Sequence, residues 1–185
     1  MAHVAIADES GQPFVLPVAY GRDGDRVLIH GSTGSRLFRS LADGAPACFS
    51  VTLIDGMVFA RSAFESSMNY RSAMAIGTFT RLAGDELVAG LNVITNQLFH
   101  GRVEEVRPNG RKEIAATMVL AMELTEASVK VRVGGPDDAE EDLGTPVWAG
   151  QIPLRLVAGE PIAADPDAAN EPIPTSVLNT IKRFS

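Results

Sequence analysis

The chain has one cysteine, Cys48, which excludes an intramolecular disulfide. Cys48 falls in an apolar stretch and reads as a small core residue rather than a nucleophile. Histidine is equally sparse: His3, His30 and His100 are scattered, without metal-ligand spacing, so no metal site is expected. Long apolar runs are missing too. None approaches about 18 residues, and no basic-plus-apolar leader opens the sequence, so neither a membrane span nor a signal peptide is read and a cytoplasmic protein is expected. There is no basic excess. The formal net charge is −7, and the acidity is concentrated after residue 134, while the part before it is close to balanced. No basic stripe is available to a nucleic-acid backbone, so nucleic acid is not an expected partner.

What is present is a set of short β-rich runs with turn signals between them. Pro13 to Tyr20 and Arg26 to His30 flank Asp23-Gly24, a hairpin dipeptide, and Ala47 to Ile54 and Met57 to Ser62 flank a second one, Asp55-Gly56. A two-residue second turn would set Ile54 opposite Met57, Thr52 opposite Phe59 and Ser50 opposite Arg61. Phe49, Val51, Leu53, Val58 and Ala60 would then share an apolar face. Ser50, Thr52, Phe59 and Arg61 would share the other, which is either a solvated sheet face or a binding wall. Arg71 to Leu82 reads as a further strand with Gly77 as its bulge position. Thr117 to Leu124 and Ser128 to Val133 read as a strand pair, and Val147 to Val157 as a last strand interrupted at Pro153.

Two helices are expected. Leu87, Leu91, Ile94 and Leu98 recur at helical spacing between Glu86 and Phe99, and that stripe is core packing. The other follows the turn His30-Gly31-Ser32-Thr33-Gly34-Ser35-Arg36, where Ser32 or Thr33 would cap a helix that carries Leu37 and Leu41 on one face and closes at Gly44. The glycines would let backbone approach a ligand, and Arg36 offers a planar fork that matches two phosphate oxygens. This turn is either an anion cradle or an ordinary strand-to-helix junction. It is neither a Walker loop nor a dinucleotide fingerprint. Gly134 to Gly144 and Glu160 to Pro174, acidic and Pro/Ala/Asp-rich respectively, are not expected to pack as regular structure. About seven mostly hairpin-linked strands and two helices, without βαβ alternation, point to an antiparallel barrel with helical covers: a mostly β fold with flanking α. One domain over residues 1–158 and a C-terminal tail over 159–185 are expected.

With the anion turn and the run Met68-Asn69-Tyr70-Arg71-Ser72 in place, the chain resembles the pyridoxamine 5'-phosphate oxidase-like, FMN-binding split barrels, and among them the nitroimidazole-resistance (Nim) subgroup. The resemblance runs from about Val4 to Val157, through Leu16 to Asp25, Ile29 to Ser32, Asp55-Gly56, Ala60 to Phe64, Val129 to Arg132 and Val147 to Gly150. It implies a six-stranded antiparallel split barrel that forms a homodimer, with FMN in grooves at the subunit interface. Ser32, Ser35 and Arg36 would bind the FMN phosphate, with Arg71 as a second cation. His30 would sit beside the flavin or its ribityl chain, or be hydrogen-bonded at a strand end. Ser50, Thr52 and Arg61 would line the groove, and Asn69, Tyr70 and Ser72 would add polar contacts. Trp148 would lie near the ring from the other subunit or fill the dimer core, and Lys130 and Arg132 would share one strand face, holding an acidic substrate or water. The resemblance leaves the catalytic residues unassigned. The N-terminal arm and helix usual in these barrels have no counterpart before Val4. The function implied is an FMN-dependent oxidoreductase passing electrons from a reduced nicotinamide or similar small-molecule donor to a small planar acceptor such as a nitro-aromatic. The alternatives are a flavin-binding or sensor module with little turnover, and a split barrel that binds haem or a deazaflavin.

Overall fold

A computed structural model describes residues 1–8 and 10–185 of the chain. It divides into two compact units: Met1–Phe49, Ala75–Glu126 and Val157–Ser185 form the first, and Ser50–Met74 with Ala127–Leu156 form the second.

In the first unit, β1 (Ala2–Ala7) pairs antiparallel with β2 (Pro13–Val18), Ala2 opposite Val18 and Ala7 opposite Pro13. A four-stranded sheet has the order β3-β4-β8-β7, from β3 (Tyr20–Asp23), β4 (Arg26–Ser32), β7 (Thr80–Arg81) and β8 (Thr117–Glu123). Strand β4 lies in its middle, and Val27, Leu28 and Ile29 are all buried, as suits a strand covered on both faces. Helix α1 (Arg36–Ala42) buries Leu37, Phe38 and Leu41, and α2 (Gly84–Leu98) lays its stripe on the sheet. Leu87 and Ile94 join Leu28, Leu82, Val119 and Ala121 in one core, with Leu91 and Leu98 packed against it. Each fully buried leucine here contributes roughly 1.5–3 kcal/mol. Short helices α3 (Arg102–Glu105) and α4 (Arg111–Ala116) lead into β8.

In the second unit, β5 (Ala47–Phe59), which begins in the first, is followed by β6 (Ser67–Gly77) and β9 (Ala127–Arg132) as successive neighbours, and β10 (Gly150–Pro153) pairs antiparallel with the end of β5.

Several sequence-based expectations are corrected here. Asp55-Gly56 is not a turn: β5 runs straight through it, so the Ile54–Met57, Thr52–Phe59 and Ser50–Arg61 pairs do not form. Gly56 is there because β10 crosses closely; a Cβ on it would stand 2.9 Å from the Ile152 carbonyl oxygen. With an uninterrupted strand, Phe49 and Val58 take opposite sides, and the proposed apolar face does not exist. Arg61 lies beyond the end of β5, not in mid-strand. The first hairpin does exist, but Asp23 pairs with Arg26, so its two loop residues are Gly24-Asp25, with Gly24 at φ +59°. Pro13 to Val18 pairs with β1, not with Arg26 to His30. Strand β6 starts at Ser67 and ends at Gly77, ahead of β7. β8 and β9 are not partners, since β8 binds β4 and β7 while β9 neighbours β6. Only Gly150–Pro153 of the last run is strand.

The C-terminal stretch is also more ordered than its composition suggests. Helix α5 (Pro166–Asn170) starts on Asp165, whose side chain accepts the Ala168 N–H, with proline at the first helical position. Helix α6 (Thr175–Arg183) follows, and Glu140–Asp142 makes a 3-10 turn inside the acidic loop. No described helix is long and apolar enough to cross a membrane.

Candidate functional site

The strand-to-helix turn in the first unit uses most of its own hydrogen-bonding capacity. The Ser32 Oγ accepts the Gly34 N–H at 3.1 Å, Thr33 N–H donates to the Ala116 carbonyl at 3.0 Å, and Ser35 N–H donates to the Ser32 carbonyl at 3.0 Å. The helix cap is Ser35, which makes no side-chain cap bond, so neither Ser32 nor Thr33 has the capping role read from the sequence. The Phe38 ring fills the space that a Cβ on Gly31 would need, so that glycine serves packing of α1 on β4. His30, opposite Val119 in β4, is half-buried, and its Nδ1 is buried with no hydrogen-bond partner. Burial pushes the His30 imidazole below its ordinary value of 6.5.

Arg36 is not free. Its guanidinium lies 5.0 Å from the Phe14 ring centroid and donates to the Asp8 carboxylate at 2.5 Å. Asp8 is itself fixed by its loop: the Ser10 Oγ and N–H donate to it at 2.6 and 2.9 Å, and the Gln12 N–H at 3.0 Å. These bonds, Ser10 first, hold the carboxyl below its usual range.

The second unit gathers the remaining expected residues around two ion pairs and one buried amide. Asn69, 7% exposed, donates through Nδ2 to the Gly134 carbonyl at 3.0 Å and to Gln151 Oε1 at 2.9 Å, and its Oδ1 accepts from Arg132 at 2.8 Å. Every polar atom of the buried amide is therefore used, which ties β6 to β9 and β10. Arg61 pairs with the buried Asp138 carboxylate, which also accepts the Arg61 N–H at 2.6 Å, while the Arg61 Nε stays buried and unpartnered. Arg71 makes a two-pronged pair with Asp55 at 2.9 and 2.8 Å, which lowers the Asp55 carboxyl and raises the guanidinium. The Lys130 ammonium lies 5.7 Å from the Tyr70 ring centroid, and the neighbouring Tyr70 side chain raises it above its ordinary value. Ser50 and Ser72 are half-buried and Thr52 is exposed. Trp148 is 67% exposed, its ring 6.0 Å from that of Phe59.

Two features of this geometry were not read from the sequence. Each of the three arginines assigned to the cofactor is matched by an aspartate of its own unit: Arg36 by Asp8, Arg61 by Asp138 and Arg71 by Asp55. Gln151 and Gly134, the partners of Asn69, were missed as well; no local pattern marks them, because each is brought in by a distant strand or loop. Among the described residues, no group of three or more His, Cys, Asp or Glu side chains is placed to hold a metal ion.

The family profile for pyridoxamine 5'-phosphate oxidase matches residues 1–131. The chain belongs to this family. Within the pyridoxamine 5'-phosphate oxidase family, it is 46% identical to the FAD and heme binding protein from Mycobacterium smegmatis, over 97% of this chain and 88% of that one, with a TM-score of 0.93. It is 40% identical to the flavocytochrome Anf3 from Azotobacter vinelandii, over 96% of this chain and 83% of that one, with a TM-score of 0.88. A Bacteroides thetaiotaomicron VPI-5482 structure described as a 5-nitroimidazole antibiotic resistance protein is 19% identical, over 69% of this chain and 74% of that one, at a TM-score of 0.57, and so shares the fold alone. No curated protein matches the chain. The fold is thus the mostly β split barrel of the pyridoxamine 5'-phosphate oxidase family, as the resemblance implies. The Nim subgroup is corrected to a distant relationship, since the far higher identities are to the two other proteins.

Proposed function

We propose that this member of the pyridoxamine 5'-phosphate oxidase family is a flavin- and haem-binding redox protein whose flavin is FAD. The observation that carries the reading is 46% identity over 97% of the chain to a protein described as binding FAD and haem. That replaces the FMN-dependent oxidoreductase of the sequence reading with its alternative, a split barrel that holds haem. The local chemistry is compatible. His30 presents a buried, unpartnered Nδ1, an atom that calls for a hydrogen-bonding group in its neighbourhood. Ser32, Ser35 and Arg36, on the turn between β4 and α1, carry hydroxyl and guanidinium groups of the kind that donate to a phosphate. When bound, flavin and haem supply one- and two-electron exchange; the chain's own part is to hold, orient and shield them.

The homodimer is part of the same proposal. Val129, Val131 and Val133 alternate along β9 and just past it, 72%, 57% and 79% exposed, an apolar stripe that a single subunit leaves in water. Val131→Asp should yield a monomer by light scattering, and a wild-type monomer would remove the dimer from the proposal.

The deciding experiment is the absorption spectrum of the purified protein, with chromatography of the released cofactors. Flavin bands with a Soret band, and FAD in the extract, are the expected result. Released FMN without haem would restore the first reading, and a colourless protein that takes up neither cofactor would defeat both.

A further inference from the structure

The C-terminal stretch of the first unit curls around a cavity of about 640 Å³, a volume within the range of small-molecule sites. The Ala158 N–H donates to the Phe184 carbonyl at 3.1 Å, so the stretch closes on itself, and Ser176 pins it to Glu105 of α3. The wall is mostly apolar. Ile162 and Ile173 line it and are still 94% and 51% exposed, and Val177 of α6 adds to the same lining. Pro161, Pro172 and Pro174 line it as well. Proline has no N–H and a fixed φ, so this wall offers water few donors and has little freedom to lose when a ligand settles.

Arg102 of α3 is the one cation of the lining. Its only ion pair among the described residues is a 3.4 Å contact with a Glu105 oxygen, and its side chain is 41% exposed. That oxygen already accepts the Ser176 hydroxyl at 2.5 Å, and the other accepts the Ser176 N–H at 2.9 Å. Glu105 is thus spent on α6, and the Arg102 guanidinium keeps most of its donors for another acceptor. We propose that the cavity binds an amphipathic carboxylate, a fatty-acid-like molecule whose chain lies on the Ile162, Ile173 and Val177 wall and whose carboxylate meets Arg102. The guanidinium fork suits a carboxylate, and Glu171, the one acid of the lining, disfavours a second negative group on the ligand. Haem does not fit here, because the described lining holds no His, Cys, Met or Tyr to ligate iron. The site is therefore independent of the cofactor reading above.

The test titrates dodecanoate, dodecanol and dodecyltrimethylammonium, all below micelle formation, into wild type, Arg102→Gln and Ile162→Asp by calorimetry. Circular dichroism checks folding, and Ile162 is exposed enough that an acid there disturbs no core. Wild type should take up dodecanoate at one saturable site. Arg102→Gln should weaken dodecanoate by at least about tenfold and leave dodecanol unchanged, through loss of a charge-assisted contact. Ile162→Asp should weaken both. Absence of saturable dodecanoate binding, or binding insensitive to either substitution, overturns the proposal. Tighter binding of the dodecyltrimethylammonium cation than of dodecanoate would assign the headgroup to Glu171 and overturn it too.

Discussion

The Ser176 hydroxyl and backbone N–H both donate to the Glu105 carboxylate, at 2.5 and 2.9 Å, and so join the start of α6 to α3. Ser176 is 2% exposed, which makes this the buried anchor of the C-terminal helix, while Arg183 reaches the Gln97 carbonyl from the other end at 2.8 Å. These two bonds, with Arg102 nearby, lower the Glu105 carboxyl below its usual 4.5. A depressed carboxyl stabilises the folded state in full above the unfolded-state value and loses that contribution as pH falls through the folded-state value. Amides of 176–183 should therefore lose hydrogen-exchange protection in acid, and Ser176→Ala should reproduce the loss at neutral pH. Protection unchanged by both treatments would mean that the apolar face of α6 holds it alone.

Asn69 should be costly to remove. Asn69→Ala deletes the three hydrogen bonds of a buried amide and leaves Arg132, Gln151 and the Gly134 carbonyl without that partner. A loss of about 2–3 kcal/mol in urea unfolding is expected. A loss below about 0.5 kcal/mol, the range of ordinary surface changes, would show that water replaces the amide without penalty.

His30 should make stability depend on pH near neutrality. The unfolded chain takes up a proton near 6.5, whereas the buried imidazole resists it to lower pH. Stability is then full above 6.5 and declines as pH drops toward the folded-state value, because the unfolded state binds more protons across that window. His30→Gln should flatten this part of the profile in chemical denaturation at successive pH values. An identical slope in both proteins would assign the dependence to other groups.

Gly56 should tolerate no side chain. A Cβ 2.9 Å from the Ile152 carbonyl oxygen would force β10 away from β5, at a cost of about 1–3 kcal/mol for Gly56→Ala. Were Asp55-Gly56 a hairpin turn, the same substitution would act through turn geometry and leave the amides of 150–152 unaffected. Exchange rates at Gly150 to Ile152 separate the two.

The contrast between the two Asp-Gly pairs shows where local sequence stops being informative. Both carry the same turn signal, yet one sits at a real hairpin and the other inside a 13-residue strand. What decides is β10, about a hundred positions further on, and no local pattern encodes its approach. Helices α1 and α2 were legible because periodicity and terminal residues are local, and the buried Leu87 and Ile94 follow from them. Helix α5 was legible in principle from Asp165-Pro166, a cap followed by proline at the first position, but composition masked it. Of the candidate site, the residue types were readable and the charge balance was not. Asp8, Asp55 and Asp138 reach their arginines across chain distances that only the tertiary fold closes.

The first unit is assembled from three separated stretches, the last of them Val157–Ser185. Strand β4 cannot find β8 until residue 123 is available, and α6 cannot dock on α3 until residues 175–183 are made. A nascent chain on the ribosome therefore holds the apolar Val27-Leu28-Ile29 segment unpaired through much of its synthesis, with the hazard of adventitious strand pairing that this entails. Truncation of even the final helix would bear on the unit in which the chain begins.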